Sequence, residues 1–244
     1  RDNLICNKIY EQYLKYFGHT NEAQMKAWQN SMQYMRNVLD DKEIPDNCGV
    51  AIEYNITTTS KRIDFILTGT NDSGTKSVII VELKQWSDAS SVKSEDGVIV
   101  ETFVGGGMRK VAHPSYQAMS YAYYINNYNE VTQNGSMELV PCAFLHNYHF
   151  KENDPILNEQ YHTYIDAAPV FGADDFPKLR DFITKHIKRG DDGRTIYEID
   201  HGRFRPSKSL QDCLASMLDG NQEFVMIDDQ KVAYETAMSK TKNA

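Results

Sequence analysis

The sequence has few of the residues that mark specialised classes of protein. Its 244 residues include only 4 cysteines, 7 prolines and 14 glycines, with 41% hydrophobic and 25% charged residues. This composition excludes a disulfide scaffold and a fibrous chain, and it is typical of a globular protein with a sizeable core. We therefore expect one domain of generous size, or one domain and a fraction of a second.

Long apolar runs are also missing. The longest, residues 78–81 and 98–100, are far shorter than the roughly 20 residues that a membrane helix needs. The chain begins at Arg1, and no apolar segment follows a basic start, so no secretory signal is predicted. These absences favour a cytoplasmic protein, and the start at Arg1 suggests a piece of a longer chain.

The four cysteines lie far apart in the sequence, at Cys6, Cys48, Cys142 and Cys213. They form no CxxC pair and have no close histidine at zinc-finger spacing, which argues against a structural zinc site. Reduced, buried thiols are therefore the expected state.

Positive charge is scarce too. The chain has 26 lysines and arginines against 34 aspartates and glutamates, a net charge of -8. This balance argues against a protein that holds nucleic acid by general electrostatic attraction. A metal-dependent nuclease stays compatible with it, because the cation needs a cluster of carboxylates and because local basic groups can contact phosphates.

Hydrophobic periodicity predicts an α/β order in the first part of the chain. Apolar residues three and four apart predict a helix over residues 23–39. Strands follow over residues 50–56, 62–68 and 77–84; the last is nearly continuously apolar, as in a strand covered on both faces. Turn-forming residues 70–75 make the second and third strands antiparallel neighbours. A strand over 98–104, a glycine hinge at 105–107, a helix over 114–127 and a strand over 139–145 complete the order.

The resulting order is helix, three strands, helix and strand, with an added ribbon before the second helix. Later elements are a strand over residues 161–165, a helix over 176–186 entered through Asp174 or Asp175, a helix over 210–218 and a last helix after Asp228. We expect a core over residues 1–168, an α/β extension packed on it over 169–222, and a linker over 223–244.

Asp64, Glu82 and Lys84 carry the strongest chemical signal. Alternation along a strand puts Glu82 and Lys84 on one face, whereas Leu83 points into the core. Asp64, on the neighbouring strand, can supply a second carboxylate. Hydrolysis of a phosphodiester needs a cation held by hard oxygen ligands, and a lysine beside it can orient the attacking water. Since Glu-x-Lys arises by chance about once in a chain of this length, only its context can support the prediction.

That context is a joint pattern. Asp64 is followed by Glu82-x-Lys84 and then by Gln117-Ala118-Met119-Ser120-Tyr121, a spacing that resembles the PD-(D/E)xK nuclease superfamily. The QxxxY element is similar to that of its RecB-like branch. The resemblance covers about residues 23–146. Ile63 replaces the proline that precedes the first acid in the family.

The resemblance implies a restriction-endonuclease-like core, in which a mixed sheet is flanked by helices and the acids meet where two strands diverge. It also implies Mg²⁺ or Mn²⁺ bound by Asp64, Glu82 and the backbone carbonyl of Leu83, with Glu53 as an assisting upstream acid. Lys84 would position or activate the attacking water.

Several other side chains are candidates for contacts with substrate. Gln117 and Tyr121 lie four residues apart on one helix face, where they would orient the lysine or contact the nucleic-acid backbone. Residues expected to contact nucleic acid are Lys61, Arg62, Arg109, Lys110, His113, Arg203 and Arg205. The glycines at 105–107 favour a mobile loop near the substrate over a phosphate cradle, since strand-loop-helix spacing is missing. For Arg203 and Arg205, plain solvation is the alternative.

The end of the chain carries a second resemblance. Residues 223–234 are similar to the segment that introduces a P-loop ATPase in bacterial helicase-like proteins related to Schlafens, and residues 59–65 and 113–117 resemble the nuclease-like N-terminal region of that group. No GxxxxGK[ST] loop occurs in this chain. The resemblance implies that an ATP-driven helicase motor follows in the full-length protein.

The sequence therefore predicts a metal-dependent deoxyribonuclease, with RNA as the less favoured substrate, that acts in phage defence or repair. A catalytically inactive nucleic-acid-binding module of a helicase is one alternative, and a modification enzyme unrelated to nucleic acid is another. Pairing of two chains into a homodimer that cuts both strands is left open. His146 and His149 could suggest a metal, but satisfied polar side chains at a strand end are the favoured interpretation.

Overall fold

The computed structural model describes residues 22–56, 59–94, 97–205 and 229–242. Cys6, Cys213, the helix predicted over residues 210–218 and the segment 223–228 lie outside these ranges. None of the helices within them is long and apolar enough to cross a membrane.

A five-stranded mixed sheet forms the centre of the fold. Its strands lie side by side in the order β1 (Gly49–Asn55), β2 (Arg62–Thr70), β3 (Lys76–Lys84), β7 (Met137–Leu145) and β8 (Val170–Phe171). The first three pair antiparallel, whereas β7 pairs parallel with β3 and β8 pairs parallel with β7. Short turns suffice for antiparallel neighbours, while the long connection from β3 to β7 permits the parallel pair.

Helices cover both faces of this sheet. One face packs against α1 (Glu22–Leu39) and α4 (Phe176–His186), and the other packs against α2 (Pro114–Tyr128) and α5 (Arg194–His201). The side chains of β3 alternate between the two layers: Leu83 lies in the first and Ile80 in the second. The predicted α/β class and the central, doubly covered third strand are thus confirmed.

A second, three-stranded antiparallel sheet lies between β3 and α2 in the chain. It comprises β4 (Ala89–Ser91), β5 (Ile99–Val104) and β6 (Gly107–Ala112). The predicted glycine hinge is instead a tight hairpin turn, because Val104 pairs with Gly107 and the two residues between them have φ of +58° and +83°, as a type I′ turn requires. The sequence had not predicted β6, against which α6 (Asp229–Lys242) packs.

The prediction of a strand over residues 161–165 is wrong. A 3₁₀ turn over Glu159–Tyr161 leads there into α3 (His162–Ala167). The Tyr161 ring is fully buried, and its hydroxyl donates to the Ile99 carbonyl at 2.7 Å. Tertiary packing has therefore overridden the β-propensity of this tyrosine- and isoleucine-containing segment.

Two of the four cysteines fall in the described ranges, and both are free thiols. Burial raises the pKa of Cys48 to about 11, and Asp191 adds to that effect. Burial also raises the pKa of Cys142, a β7 residue whose side chain lies in the core. Both thiols are therefore protonated at neutral pH, which suits the inert, reduced state expected from the sequence.

Candidate active site

The antiparallel pairing of β2 with β3 ends at Phe65 and Val81. One step further, continued register would set Asp64 opposite Glu82. At that step β3 remains paired with β7 as far as Lys84 and Leu145. β2 therefore separates from β3 at the position of Asp64 and Glu82.

The Asp64 carboxylate fills the space between the separating strands. Its Oδ2 atom accepts a hydrogen bond from the Leu83 backbone N–H at 2.8 Å, and the interaction with the Glu82 side chain acts to lower the pKa of Asp64. The N–H and C=O groups of one strand residue project to the same side of the strand, so the Leu83 carbonyl also faces β2. The neighbouring Lys84 carbonyl points the other way, where it accepts from the His146 N–H at 3.2 Å.

Lys84 lies on the same face as Glu82, as the alternation predicted. Its Nζ atom is 2.6 Å from Glu82 Oε1, with side-chain exposures of 18% and 2% for the lysine and the glutamate. The ammonium also lies 5.6 Å from the centre of the Trp86 ring. The Lys84 ammonium therefore lies beside the carboxyl groups of Glu82 and Asp64 in a space largely shielded from water.

Glu53 joins this cluster through an unusual backbone conformation. Its φ is +52°, a left-handed conformation that costs a non-glycine residue roughly 1 kcal/mol or more. Ile52 packs into one layer and Tyr54 into the other, although strand alternation would put them on the same face, so the strand turns over at Glu53. The Glu53 carboxylate contacts Arg62 Nε at 3.4 Å and accepts a hydrogen bond from Trp28 of α1.

Two carboxyl groups of this cluster, those of Glu53 and Asp64, have raised pKa values. Burial raises the pKa of Glu53 to about 7, and Asp64 adds to the rise, whereas Arg62 and Trp28 oppose it. Burial likewise raises the pKa of Asp64, although Lys84, the Leu83 N–H and Glu82 act in the opposite direction. Crowded carboxylates with raised pKa values repel one another when charged, and a bound cation would relieve that repulsion.

No family model matches the chain, and neither curated proteins nor solved structures give a significant match.

The donor atoms fit a hard divalent cation in kind and in number. No group of three or more His, Cys, Asp or Glu side chains suited to a metal occurs within the described ranges. Mg²⁺ does not need such a group, since it takes one or two carboxylates and keeps several of its waters. Asp64, Glu82 and the Leu83 carbonyl supply three oxygens around the point where the strands separate.

Gln117 and Tyr121 lie in α2, on the sheet face toward which Glu82 points. Both side chains are buried, and the Gln117 amide donates to the Tyr121 hydroxyl at 2.9 Å. Tyr121 packs in one cluster with Ile80, two residues before Glu82 on the same face of β3. The pair thus lies on the sheet face toward which Glu82 points and is shielded from solvent.

The position of His113 contradicts its predicted contact with nucleic acid. The imidazole is 0% exposed and caps α2. Its Nδ1 atom accepts from the Ser115 N–H at 3.2 Å, so Nε2 carries the proton and donates to the Ile156 carbonyl at 2.9 Å. Burial lowers the pKa of His113 to about 4. The residue is a neutral structural cap at the start of α2.

The predicted basic contacts lie in three separate places. Arg62 is at the acidic cluster, and Lys61 forms an ion pair with Asp229 of α6 at 2.7 Å. Arg109 and Lys110 are exposed on β6. Arg203 and Arg205 are exposed beside Glu130, past the end of α2 and roughly 16 Å along that helix from Gln117 at 1.5 Å per residue.

A polar network that the sequence did not reveal supports the end of β3. Ser31 of α1 receives a hydrogen bond from Gln85 at 3.3 Å and contacts His146 Nε2 at 3.1 Å. Burial lowers the pKa of His146, against the effect of Asn147. The network ties α1, β3 and β7 together next to Lys84. Trp28 and Ser31 looked like ordinary positions of an amphipathic helix, so no sequence signal marked their contacts.

Proposed function

We propose that this chain is a metal-dependent nuclease domain with a restriction-endonuclease-like core, acting on DNA with RNA as the second choice. The observation that supports it best is the convergence of Asp64, Glu82 and Lys84 where β2 and β3 separate. Two carboxyl groups in contact beside one lysine form the charge set that phosphodiester hydrolysis needs.

A Mg²⁺ or Mn²⁺ ion at this position would supply a Lewis acid and a bound water acidic enough to attack at neutral pH. Asp64, Glu82 and the Leu83 carbonyl would hold the ion, with Glu53 as the assisting acid. The Lys84 ammonium, within 2.6 Å of Glu82, lies near the same ligand. From there it donates to the attacking water and offsets charge on the phosphate.

Gln117 and Tyr121 are positioning residues in this proposal. Their mutual hydrogen bond at 2.9 Å and their burial keep them from acting as a freely exposed phosphate contact. They hold α2 against β3, the strand that carries Glu82. The positions of the Glu82 carboxylate and the Lys84 ammonium are thereby fixed.

A cleavage assay with two lysine variants tests the proposal. Single-stranded and duplex DNA and RNA are incubated with wild type, Lys84→Ala and Lys76→Ala, each with Mg²⁺, Mn²⁺ or EDTA. Lys76 is the matched control, because it lies at the other end of β3 and pairs with Glu198. We expect metal-dependent cleavage by wild type and Lys76→Ala, and a loss of about 100-fold or more in Lys84→Ala.

Equal inactivity of wild type and Lys84→Ala, with binding of nucleic acid retained, would favour the inactive binding module instead. Absence of both metal binding and nucleic-acid affinity would favour chemistry unrelated to nucleic acid. Cleavage that survives EDTA would contradict the metal-dependent mechanism.

We also propose that an ATP-driven helicase motor in the full-length protein delivers nucleic acid to this site, in phage defence or repair. The support is the resemblance of residues 223–234 to the segment that introduces such motors. Cleavage by the full-length protein should then increase when ATP is added, and an unchanged rate would contradict the coupling.

A further inference from the structure

The polar network at the end of β3 closes on itself. Beyond Val81 the pairing of β3 with β2 has ended, and β3 remains paired with β7. A hydrogen bond from the His146 N–H to the Lys84 carbonyl, at 3.2 Å, is the last backbone contact of that pair. Four side chains just past the two strands and on α1 then form a closed circuit of hydrogen bonds: Ser31, Gln85, His146 and Asn147.

Each contact in this circuit matches a donor with an acceptor. The Gln85 amide donates to Ser31 Oγ at 3.3 Å, and the Asn147 amide donates to the Gln85 carbonyl at 3.4 Å. His146 contacts Ser31 Oγ through Nε2 at 3.1 Å and Asn147 Oδ1 through Nδ1 at 3.2 Å. Because the Asn147 oxygen only accepts, Nδ1 carries the proton and Nε2 accepts from the Ser31 hydroxyl. Burial lowers the pKa of His146, which favours this neutral form.

The Ser31–His146 pair at the centre of the network is buried and tightly packed. The two residues are 8% and 1% exposed. The ring of Tyr34, three residues after Ser31 on α1, stacks on the imidazole with the ring centres 4.3 Å apart and the planes 20° apart. Loss of one member would leave other buried polar groups unsatisfied, so a fully matched network of this kind holds its members rigidly.

We propose that Ser31 and His146 are positioning residues that hold Lys84 in place at the acidic cluster. The Lys84 carbonyl and the side chain of the next residue, Gln85, are both bound by the network. The Lys84 ammonium lies 2.6 Å from Glu82 Oε1. A lysine that orients an attacking water has to be placed to within a fraction of an ångström. This inference rests on the proposed nuclease function and adds one residue of α1 and one residue past β7 to the site.

Three variants of buried serines test the proposal. Ser31→Ala removes the hydroxyl that joins Gln85 to His146, whereas Ser31→Thr keeps a hydroxyl at that position. Ser77→Ala is the matched control. Ser77 is a fully buried serine at the other end of β3, and its hydroxyl has no hydrogen-bond partner among the described residues. Urea unfolding establishes that each variant is folded.

Amide hydrogen exchange without metal or nucleic acid reports how firmly the strand end is held. Ser31→Ala should speed exchange of the His146 and Leu83 N–H groups by about tenfold, the effect of losing one hydrogen bond. Exchange at Ile79, in the middle of β3, should keep its wild-type rate. In Ser31→Thr and Ser77→Ala, the His146 and Leu83 amides should exchange as in wild type. Unchanged exchange at both amides in folded Ser31→Ala would overturn the inference.

Cleavage kinetics with Mg²⁺ separate a positioning role from a merely structural one. Ser31→Ala should lower kcat about tenfold or more and leave KM unchanged, because Lys84 is displaced while the substrate contacts remain. Ser31→Thr should restore kcat, and Ser77→Ala should match wild type. Cleavage by folded Ser31→Ala at the wild-type kcat would overturn the positioning role alone. Faster exchange in Ser31→Ala, together with a wild type that does not cleave, would overturn the nuclease and leave the hold on the strand end standing.

Discussion

Asp64 lies near the start of β2 and Asp191 packs against the end of the same strand, and the two carboxylates differ in what surrounds them. Asp191 accepts hydrogen bonds from the Gly49, Gly193 and Thr195 N–H groups and from the Thr68 hydroxyl, at 3.0 to 3.2 Å. Asp64 accepts one from the Leu83 N–H and otherwise meets Lys84 and two further carboxyl groups.

The pKa values follow from these surroundings. Burial acts to raise the pKa of Asp191, but its hydrogen bonds outweigh burial and hold that pKa below the usual value. At Asp64 burial wins, and the pKa is raised. A carboxylate that accepts several hydrogen bonds, such as Asp191, stabilises the loop around it. Crowded carboxylates with few donors, such as Asp64, destabilise the fold when charged, which points to a functional role for them. The end of β2 at Asp191 is structural, and the end at Asp64 is the candidate for chemistry.

If the Asp64 end of β2 is functional, Asp64→Asn should have the largest effect on activity and little effect on stability. Removal of a metal-binding carboxylate should lower metal-dependent cleavage by about 1,000-fold. Metal-free stability should change by less than about 1 kcal/mol, because the amide oxygen can still accept from Leu83 and a repulsive charge is gone. Cleavage rates and urea unfolding measure the two effects. Asp72→Asn in the exposed β2–β3 turn serves as the control, and a stability loss that matched the activity loss would contradict the assignment.

If the Asp191 end of β2 is structural, Asp191→Asn should lower stability and leave activity unchanged. The amide cannot accept all of the hydrogen bonds that the carboxylate accepts, so the free energy of unfolding should fall by about 1 to 2 kcal/mol. Mn²⁺ binding and cleavage by the folded variant should stay at wild-type levels. Urea unfolding and calorimetric titration with Mn²⁺ test this, with the exposed neighbour Asp192→Asn alongside. Loss of Mn²⁺ binding in folded Asp191→Asn would remove the distinction between the two ends.

The stability difference between wild type and Glu53→Gln should depend on pH, which tests the crowding at the Asp64 end of β2. The pKa of Glu53 is raised from 4.5 to about 7 on folding, so the folded state loses this proton less readily than the unfolded state. The wild type therefore loses stability relative to Glu53→Gln as pH rises through that window. The variant should be more stable by about 3 kcal/mol at pH 8, with little difference at pH 4.5.

Urea unfolding of wild type and Glu53→Gln at both pH values, without metal, measures this difference. Glu152→Gln, at an exposed position, should show no such pH dependence. A Glu53→Gln variant that was less stable than wild type at pH 8 would mean that the contacts with Arg62 and Trp28 outweigh the crowding.

Sequence patterns predicted the parts of the fold that repeat regularly. Periodicity located α1, α2 and the strands β1, β2, β3 and β7, and alternation put Leu83 in the core with Glu82 and Lys84 on the other face. Those features depend on local spacing alone. The helix predicted over residues 176–186 also matches α4, which begins after Asp175.

Features set by tertiary contact escaped prediction. The positive φ of Glu53 and its contact with Trp28 depend on how α1 lies across the strand end. The segment predicted as a strand near Tyr161 is helical, and the Tyr161 ring is buried in the core. His113 was predicted to contact nucleic acid, but its imidazole is buried at the start of α2. Short, strongly local patterns cannot report such contacts.

The hydrogen bond from Leu83 to Asp64 gives the site an order of assembly. A strand that loses its partner ordinarily leaves backbone N–H groups to water, but here a side chain takes the place of the missing carbonyl. The sheet itself therefore orients a proposed metal ligand before any ion arrives. Loading with Mg²⁺ would then require displacement of water and protons and little movement of the backbone.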